Sequence, residues 1–162
     1  IGKVGMVITL AIAQVVLLLA VAVPFFDVSL PATGARWLTL VWVILLGTTA
    51  CTLTGIAFSS LPKSARSATA IVTPVALVLQ FISGVFFVFT QLPSWMQQVA
   101  ALFPLKWMCQ GMRAVFLPDA YGLQEPAGGY ELGRVALVLG VWCVLGLLLC
   151  LGTFRWTRRQ DG

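Results

Sequence analysis

Side chains able to do chemistry are scarce in this chain and poorly placed for it. Histidine is absent, which removes the usual general base and the commonest metal ligand. Of the four cysteines, Cys51, Cys143 and Cys150 stand within apolar runs, where a thiol behaves as a small hydrophobe. Only Cys109 lies in a polar stretch, and no Cys-x-x-Cys pair occurs. Zinc, haem and His-based nucleophilic chemistry therefore lack their ligands and bases. The acids Asp27, Asp119, Glu125 and Glu131 fall between the long apolar runs and form no paired catalytic set. No Gly-x-x-x-x-Gly-Lys-[Ser/Thr] phosphate loop is present either. The sequence predicts no resident cofactor or metal and gives no basis for nucleic-acid binding. Any nucleotide hydrolysis has to reside elsewhere.

The elements that carry these residues belong to a lipid-solvated protein. Of 162 residues 60% are hydrophobic and 9% charged, against about 45–50% and about 25% in soluble domains. Too few polar side chains remain to cover a water-facing surface. Four stretches, 5–26, 37–58, 69–89 and 135–154, contain no Asp, Glu, Lys or Arg. Each matches the roughly 20 apolar residues needed to cross a hydrocarbon core of about 30 Å. Phe25, Phe26, Trp37, the Phe86 to Phe89 cluster, Phe154 and Trp156 mark their ends as headgroup-level anchors. The expected fold is an all-α integral membrane protein with four transmembrane helices.

Two connections are short, 27–36 with Pro31 and Gly34, and 59–68 with Pro62, Lys63 and Arg66. The third, 90–134, is long and carries Pro93, Pro104, Pro118, Pro126 and Gly128-Gly129. Within it Ser94 can cap a short amphipathic helix that places Trp95, Val99, Leu102 and Phe103 on one face. After Pro104 the pattern restarts with Leu105, Met108, Met112, Val115 and Phe116 on one face and Lys106, Gln110 and Arg113 away from it. Neither half can span, and together they suggest a hairpin that dips into the outer leaflet or lies along it. The whole of 1–162 is then one transmembrane domain, with 90–134 as its extracellular hairpin and loop. Lys3, Lys63, Arg66, Arg155, Arg158 and Arg159 fall on one side and Arg36, Lys106, Arg113 and Arg134 on the other. That bias predicts cytoplasmic ends. The opening Ile1, without a recognisable signal segment, reads as the start of part of a longer chain.

Within the spans the polar and small residues point to packing. Gly47, Cys51 and Gly55 form a small stripe at four-residue spacing that another helix can approach closely. Thr48 and Thr52 beside it are expected to bond back to their own helix carbonyls. Gln14 and Gln80 are the amides within the spans, with interhelical hydrogen bonding as their default. Pro74 and the Ser83-Gly84 pair weaken the third span and mark possible bends. No carboxylate or histidine sits in a span to couple transport to protons or sodium. A solute moved by this chain would be driven by an attached or partner protein, and apolar walls favour amphipathic cargo.

The run Ile82-Ser83-Gly84-Val85-Phe86-Phe87, then Leu92-Pro93-Ser94-Trp95-Met96-Gln97, then Phe103-Pro104-Leu105 through Gly111-Met112-Arg113, resembles the membrane domain of type-2 ATP-binding-cassette exporters. The resemblance covers nearly the whole chain and aligns it with spans three to six of a six-span permease, so the N-terminal part would precede Ile1. It implies a permease subunit in the cell membrane that dimerises with a second copy or a homologous permease and is driven by an ABC ATP-binding subunit. It also implies that Ser83, Gly84, Phe86 and Phe87 help form the outer end of the path or the dimer contact, and that Pro93, Pro104 and Arg113 shape the hairpin. Lys63 and Arg66 would then be the internal cytoplasmic contact. Membrane lipid is the competing neighbour for the aromatics, and headgroup snorkelling the competing role for Arg113. Two other readings stand beside it, a non-transport anchor or assembly subunit and a lipid-modifying enzyme.

Overall fold

The computed structural model describes residues 2–26, 28–58 and 65–160, the side chains of Lys3, 65–69 and 153–160 excepted. Among the described residues all regular structure is helical: α1 (Gly2–Phe26), α2 (Gly34–Phe58), α3 (Ala65–Ile82), α4 (Ser94–Ala101), α5 (Pro104–Phe116), α6 (Asp119–Gly122) and α7 (Leu132–Gln160). A single 3-10 turn, Phe89–Gln91, precedes α4. Long helices are what an apolar solvent demands, because each satisfies its backbone polar groups internally.

Among the described residues, three helical segments are long and apolar enough to cross a membrane: Val4–Phe26, Gly34–Phe58 and Leu132–Gly152. The apolar part of α3, Ala70–Ile82, is shorter. The third apolar stretch was expected to be helical through residue 89, and here the structure differs. The helix stops at Ile82, and Gly84 takes a φ of +80°, which a right-handed helix cannot contain. Apolarity alone carried the expected helix too far, since residues 85–89 are as apolar as those before them.

Helix α2 is the axis of the assembly, with α1, α5 and α7 packed against it. Val43 of α2, Trp107 of α5, and Val135 and Leu139 of α7 form the main buried cluster. Leu40, Ile44 and Val115 form a second, covered in part by Ala11 and Val15 of α1. Two glycines let these helices close. A Cβ at Gly111 would stand 2.7 Å from Val43 Cγ2 and 3.4 Å from Val135 Cγ1. A Cβ at Gly146 of α7 would stand 2.7 Å from Leu53 Cβ and 3.3 Å from the Thr54 backbone nitrogen. Cys143 and Cys150 face the same seam and donate to the carbonyls of Leu46 (3.5 Å) and Leu53 (3.3 Å).

Helix α3 is held differently. It packs on α4 and α5, through a small cluster of Ile82, Phe89 and Ala100 flanked by Leu79, Leu92 and Met96. Ile71, Val72, Val75, Leu77 and Val78 along its length are exposed.

Helix α4 corrects the expected cap and face. Pro93 occupies the N-cap position without a side-chain cap bond, so Ser94 is the first helical residue. Trp95, Val99 and Leu102 point outward, and Ala100, with Met96 beside it, makes the contact with α3 and the 3-10 turn. Small Ala100 permits a closer approach than the larger side chains of the opposite face, which are free to meet lipid.

Candidate functional site

Helix α5 begins at Pro104, whose missing amide hydrogen costs nothing at a first helical position. Its polar residues were expected on a face turned away from the packed one. The structure buries both faces. Wedged between α2 and α7, the helix has Lys106 and Gln110 among its most enclosed side chains. Lys106 Nζ donates to Gln110 Oε1 and lies 3.6 Å from the centre of the Trp107 ring and 5.1 Å from that of Phe89. The rings give the ammonium an electrostatic partner where water is excluded. Burial lowers its pKa to about 8, against the opposing pull of the Glu125 carboxylate. Gln110 passes the connection on, donating through Nε2 to the Tyr130 carbonyl at 2.8 Å.

One turn further along α5, Arg113 Nε donates to Glu125 Oε1 at 2.7 Å. Glu125 follows α6, and its side chain is only 7% exposed. The pair leaves two of its own atoms without partners, Arg113 Nη2 and Glu125 Oε2, and the nearby Ser83 Oγ is likewise buried and unpartnered. Arg113 also reaches the bend after α3, since a Cβ at Gly84 would stand 3.3 Å from Arg113 Nη1 and 3.1 Å from Phe89 Cβ. Arg36 and Asp119 pair at 2.9 Å, and Arg134 and Glu131 at 2.7 Å. Among the described residues, each acid is thus matched to an arginine. Tyr130 closes the corner, its hydroxyl donating to the Pro118 carbonyl at 3.2 Å, with burial pushing the phenol pKa upward.

Between the 84–90 segment and this corner lies a cleft of 360 Å³. One wall is the segment itself, including Phe86, Phe87 and Phe89; the other is Arg113, Leu117, Tyr121, Gln124, Glu125 and Tyr130. No group of His, Cys, Asp or Glu among the described residues could hold a metal ion.

A family model described as "ABC-2 family transporter protein" matches residues 1–154. The chain belongs to the ABC-2 family. No curated protein and no solved structure matches it. Membership in the ABC-2 family makes it a membrane component of an ABC transporter, of the kind that works with an ABC ATP-binding subunit. The resemblance read from residues 82–113 thus leads to the right family.

The residues singled out by sequence fall into three groups in this ABC-2 protein. Gly84, Phe86, Phe87 and Arg113 come together at the cleft, with buried Ser83 just behind, while Pro93 stands at the N-cap of α4 and Pro104 is the first residue of α5. Of the small stripe, only Gly47 is a close approach, where a Cβ would meet Met108 Sδ at 2.7 Å; Cys51 is exposed and Gly55 has nothing within 4 Å. Lys63 and the side chain of Arg66 lie outside the described residues. Thr48 bonds to its own helix carbonyl at Ile44, as expected. Gln14 is exposed, and neither it nor Gln80 makes an interhelical hydrogen bond among the described residues.

Glu125, Gln110 and Gly146 were missed. A usable signal existed for the first, because an acid in a Pro- and Gly-rich connection that also carries an unmatched arginine is a natural partner for it. Gly146 stands among leucines with no polar neighbour to mark it.

Proposed function

We propose that the chain is the permease part of an ATP-driven exporter that carries an amphipathic compound, a drug, lipid or glycan, out of the cytoplasm. The match of the ABC-2 family model to residues 1–154 carries this reading. The uncharged stretches support it, because they leave no intramembrane carboxylate or histidine to couple transport to an ion gradient. In this reading α3, extended by its bend, serves as a fourth span, and α4 and α5 form a re-entrant hairpin at the extracellular side. Both ends of the chain are cytoplasmic, in the cell membrane. Two permease copies, or two homologous permeases, pair around the path, and the ATP-binding subunit contacts the Lys63 and Arg66 region.

The test is reconstitution of the full-length protein with its co-purifying ATPase in vesicles. ATP-dependent accumulation of a fluorescent amphiphile, and stimulation of ATP hydrolysis by it, are the expected results. Transport driven by a proton gradient without ATP would overturn the mechanism. An ATPase rate indifferent to the chain would favour a non-transport anchor.

A further inference from the structure

We propose that the cleft between the 84–90 segment and the α5–α6 corner binds the anionic head of a lipid-like amphiphile, a phosphate or similar oxyanion, with its chain lying along Phe86 and Phe87. The first ground is the nitrogen that Arg113 leaves accessible. Its side chain lines the cleft and is 22% exposed. The guanidinium is planar and rigid, so its nitrogens point to different sides. Nε is taken by Glu125, and Nη2 is enclosed with that pair. Nη1 is turned instead to Gly84 on the cleft wall, 3.3 Å from where a Cβ would stand. It is not enclosed, and it has no hydrogen bond among the described residues. An oxyanion is the strong acceptor for such a donor. Residues 84–87 make no backbone hydrogen bond among the described residues either, so the wall keeps amide hydrogens for the remaining oxygens.

Charge selects in the same direction. Around the cleft Arg36, Arg113 and Arg134 are matched by Asp119, Glu125 and Glu131. Lys106 is left over. It has no ion pair among the described residues, and its ammonium lies 5.1 Å from the centre of the Phe89 ring, part of the cleft wall. The corner therefore carries a surplus positive charge, little screened because it is buried, that draws an anion and opposes a cation. An uncharged head gains nothing from it. The apolar wall requires that the anion bring a chain. Phe86 and Phe87 are 60% and 53% exposed and stack on Phe81 at 5.1 and 5.8 Å between ring centres, leaving an apolar ramp that leads from the cleft. At 360 Å³ the cleft is near the lower end of the roughly 300–1,000 Å³ of small-molecule sites, room for a head rather than a whole amphiphile.

The experiment uses the full-length protein in phosphatidylcholine nanodiscs and radiolabelled octyl phosphate below its micellar concentration, with uptake by empty nanodiscs subtracted. Saturable binding is expected, with octyl glucoside and octyltrimethylammonium competing at least about tenfold less well, the scale of one hydrogen bond to a charged group. Inorganic phosphate, a head without a chain, should compete more weakly still. Arg113→Lys keeps a positive charge for Glu125 and removes Nη1, and should weaken binding by a similar factor. Lys106→Met removes the surplus charge without touching the ligand, and Phe87→Ala shortens the ramp at an exposed position; each should weaken binding severalfold. Trp95→Ala, outside the cleft, should change nothing. No saturable component, equal or tighter binding of the uncharged or cationic amphiphile or of inorganic phosphate, or indifference to Arg113→Lys would overturn the proposal, as would indifference to Lys106→Met and Phe87→Ala together. An anionic amphiphile transported as cargo and a resident anionic lipid share this chemistry. ATP-dependent movement of octyl phosphate across vesicles identifies the first, and binding without movement the second. Only this last arm rests on the exporter reading, so the site and that reading fail separately.

Discussion

Arg113 Nε donates to Glu125 Oε1 at 2.7 Å, joining the last turn of α5 to the chain that leaves α6, with the carboxylate almost wholly enclosed. Removing one partner strands the other. Glu125→Ala or Arg113→Ala should each destabilise the protein by about 3–5 kcal/mol, whereas Arg113→Met with Glu125→Leu should recover most of the loss. Thermal unfolding of the four proteins in detergent checks this, and an additive double variant would show that the pair does not act as a unit. The Arg36–Asp119 pair, with its carboxylate 92% exposed, is the contrast. Its loss should cost no more than about 1 kcal/mol.

The glycines of the α2, α5 and α7 contacts differ in tolerance. Gly111→Ala pushes a methyl to 2.7 Å from Val43 and should cost about 1–3 kcal/mol, the usual penalty of overpacking. Adding Val43→Ala should return part of it. Gly55→Ala, in open space within a helix, should stabilise by up to about 1 kcal/mol through helix propensity. The measurement is the unfolding midpoint of each variant; equal effects at positions 111 and 55 would contradict the packing described.

Gly84 carries a conformational requirement as well as a steric one. With φ at +80° and Phe89 Cβ at 3.1 Å from a would-be side chain, Gly84→Ala should lose at least about 1–2 kcal/mol. Gly84→Val should also abolish ATP-dependent export while still inserting. Gly129→Ala, with nothing within 4 Å, is the control. Export unchanged in Gly84→Val would remove the bend from the transport cycle.

Lys106 predicts a pH dependence of definite sign. Its folded pKa is lowered from 10.5 to about 8, so between these values the unfolded chain binds more protons than the folded one. Stability therefore rises as pH climbs from about 8 to about 10.5, and the penalty of burying the ammonium is fully present below that window. Lys106→Met should flatten this rise. Unfolding midpoints from pH 7 to 10.5 in the two proteins decide it, and a parallel rise in both would assign it to other groups.

The long helices were legible because hydropathy and length suffice to mark them: 5–26, 37–58 and 135–154 fall inside α1, α2 and α7. The bend at Gly84 was visible as a weakness but not as an end, since hydropathy runs on unbroken through Phe89. The face of α4 was misassigned because in lipid an apolar side chain gains little by turning inward, so Trp95 and Val99 could lie outside while Ala100 packed. Partners far apart in the chain, Arg36 with Asp119 or Gln110 with Tyr130, leave no trace in periodicity. At the cleft, the loop residues were found from the family resemblance, and the acid that completes it was not.

Stiffness is unevenly distributed over this protein. Met108 against Gly47, Val43 against Gly111, and the Trp142 indole bound to the Leu102 carbonyl hold α5 and the end of α4 to α2 and α7. Among the described residues, the exposed shaft of α3 is fastened near its Ile82 end by a few side chains. The few contacts that hold α3 thus gather at the end where Gly84 turns the chain and the cleft wall begins.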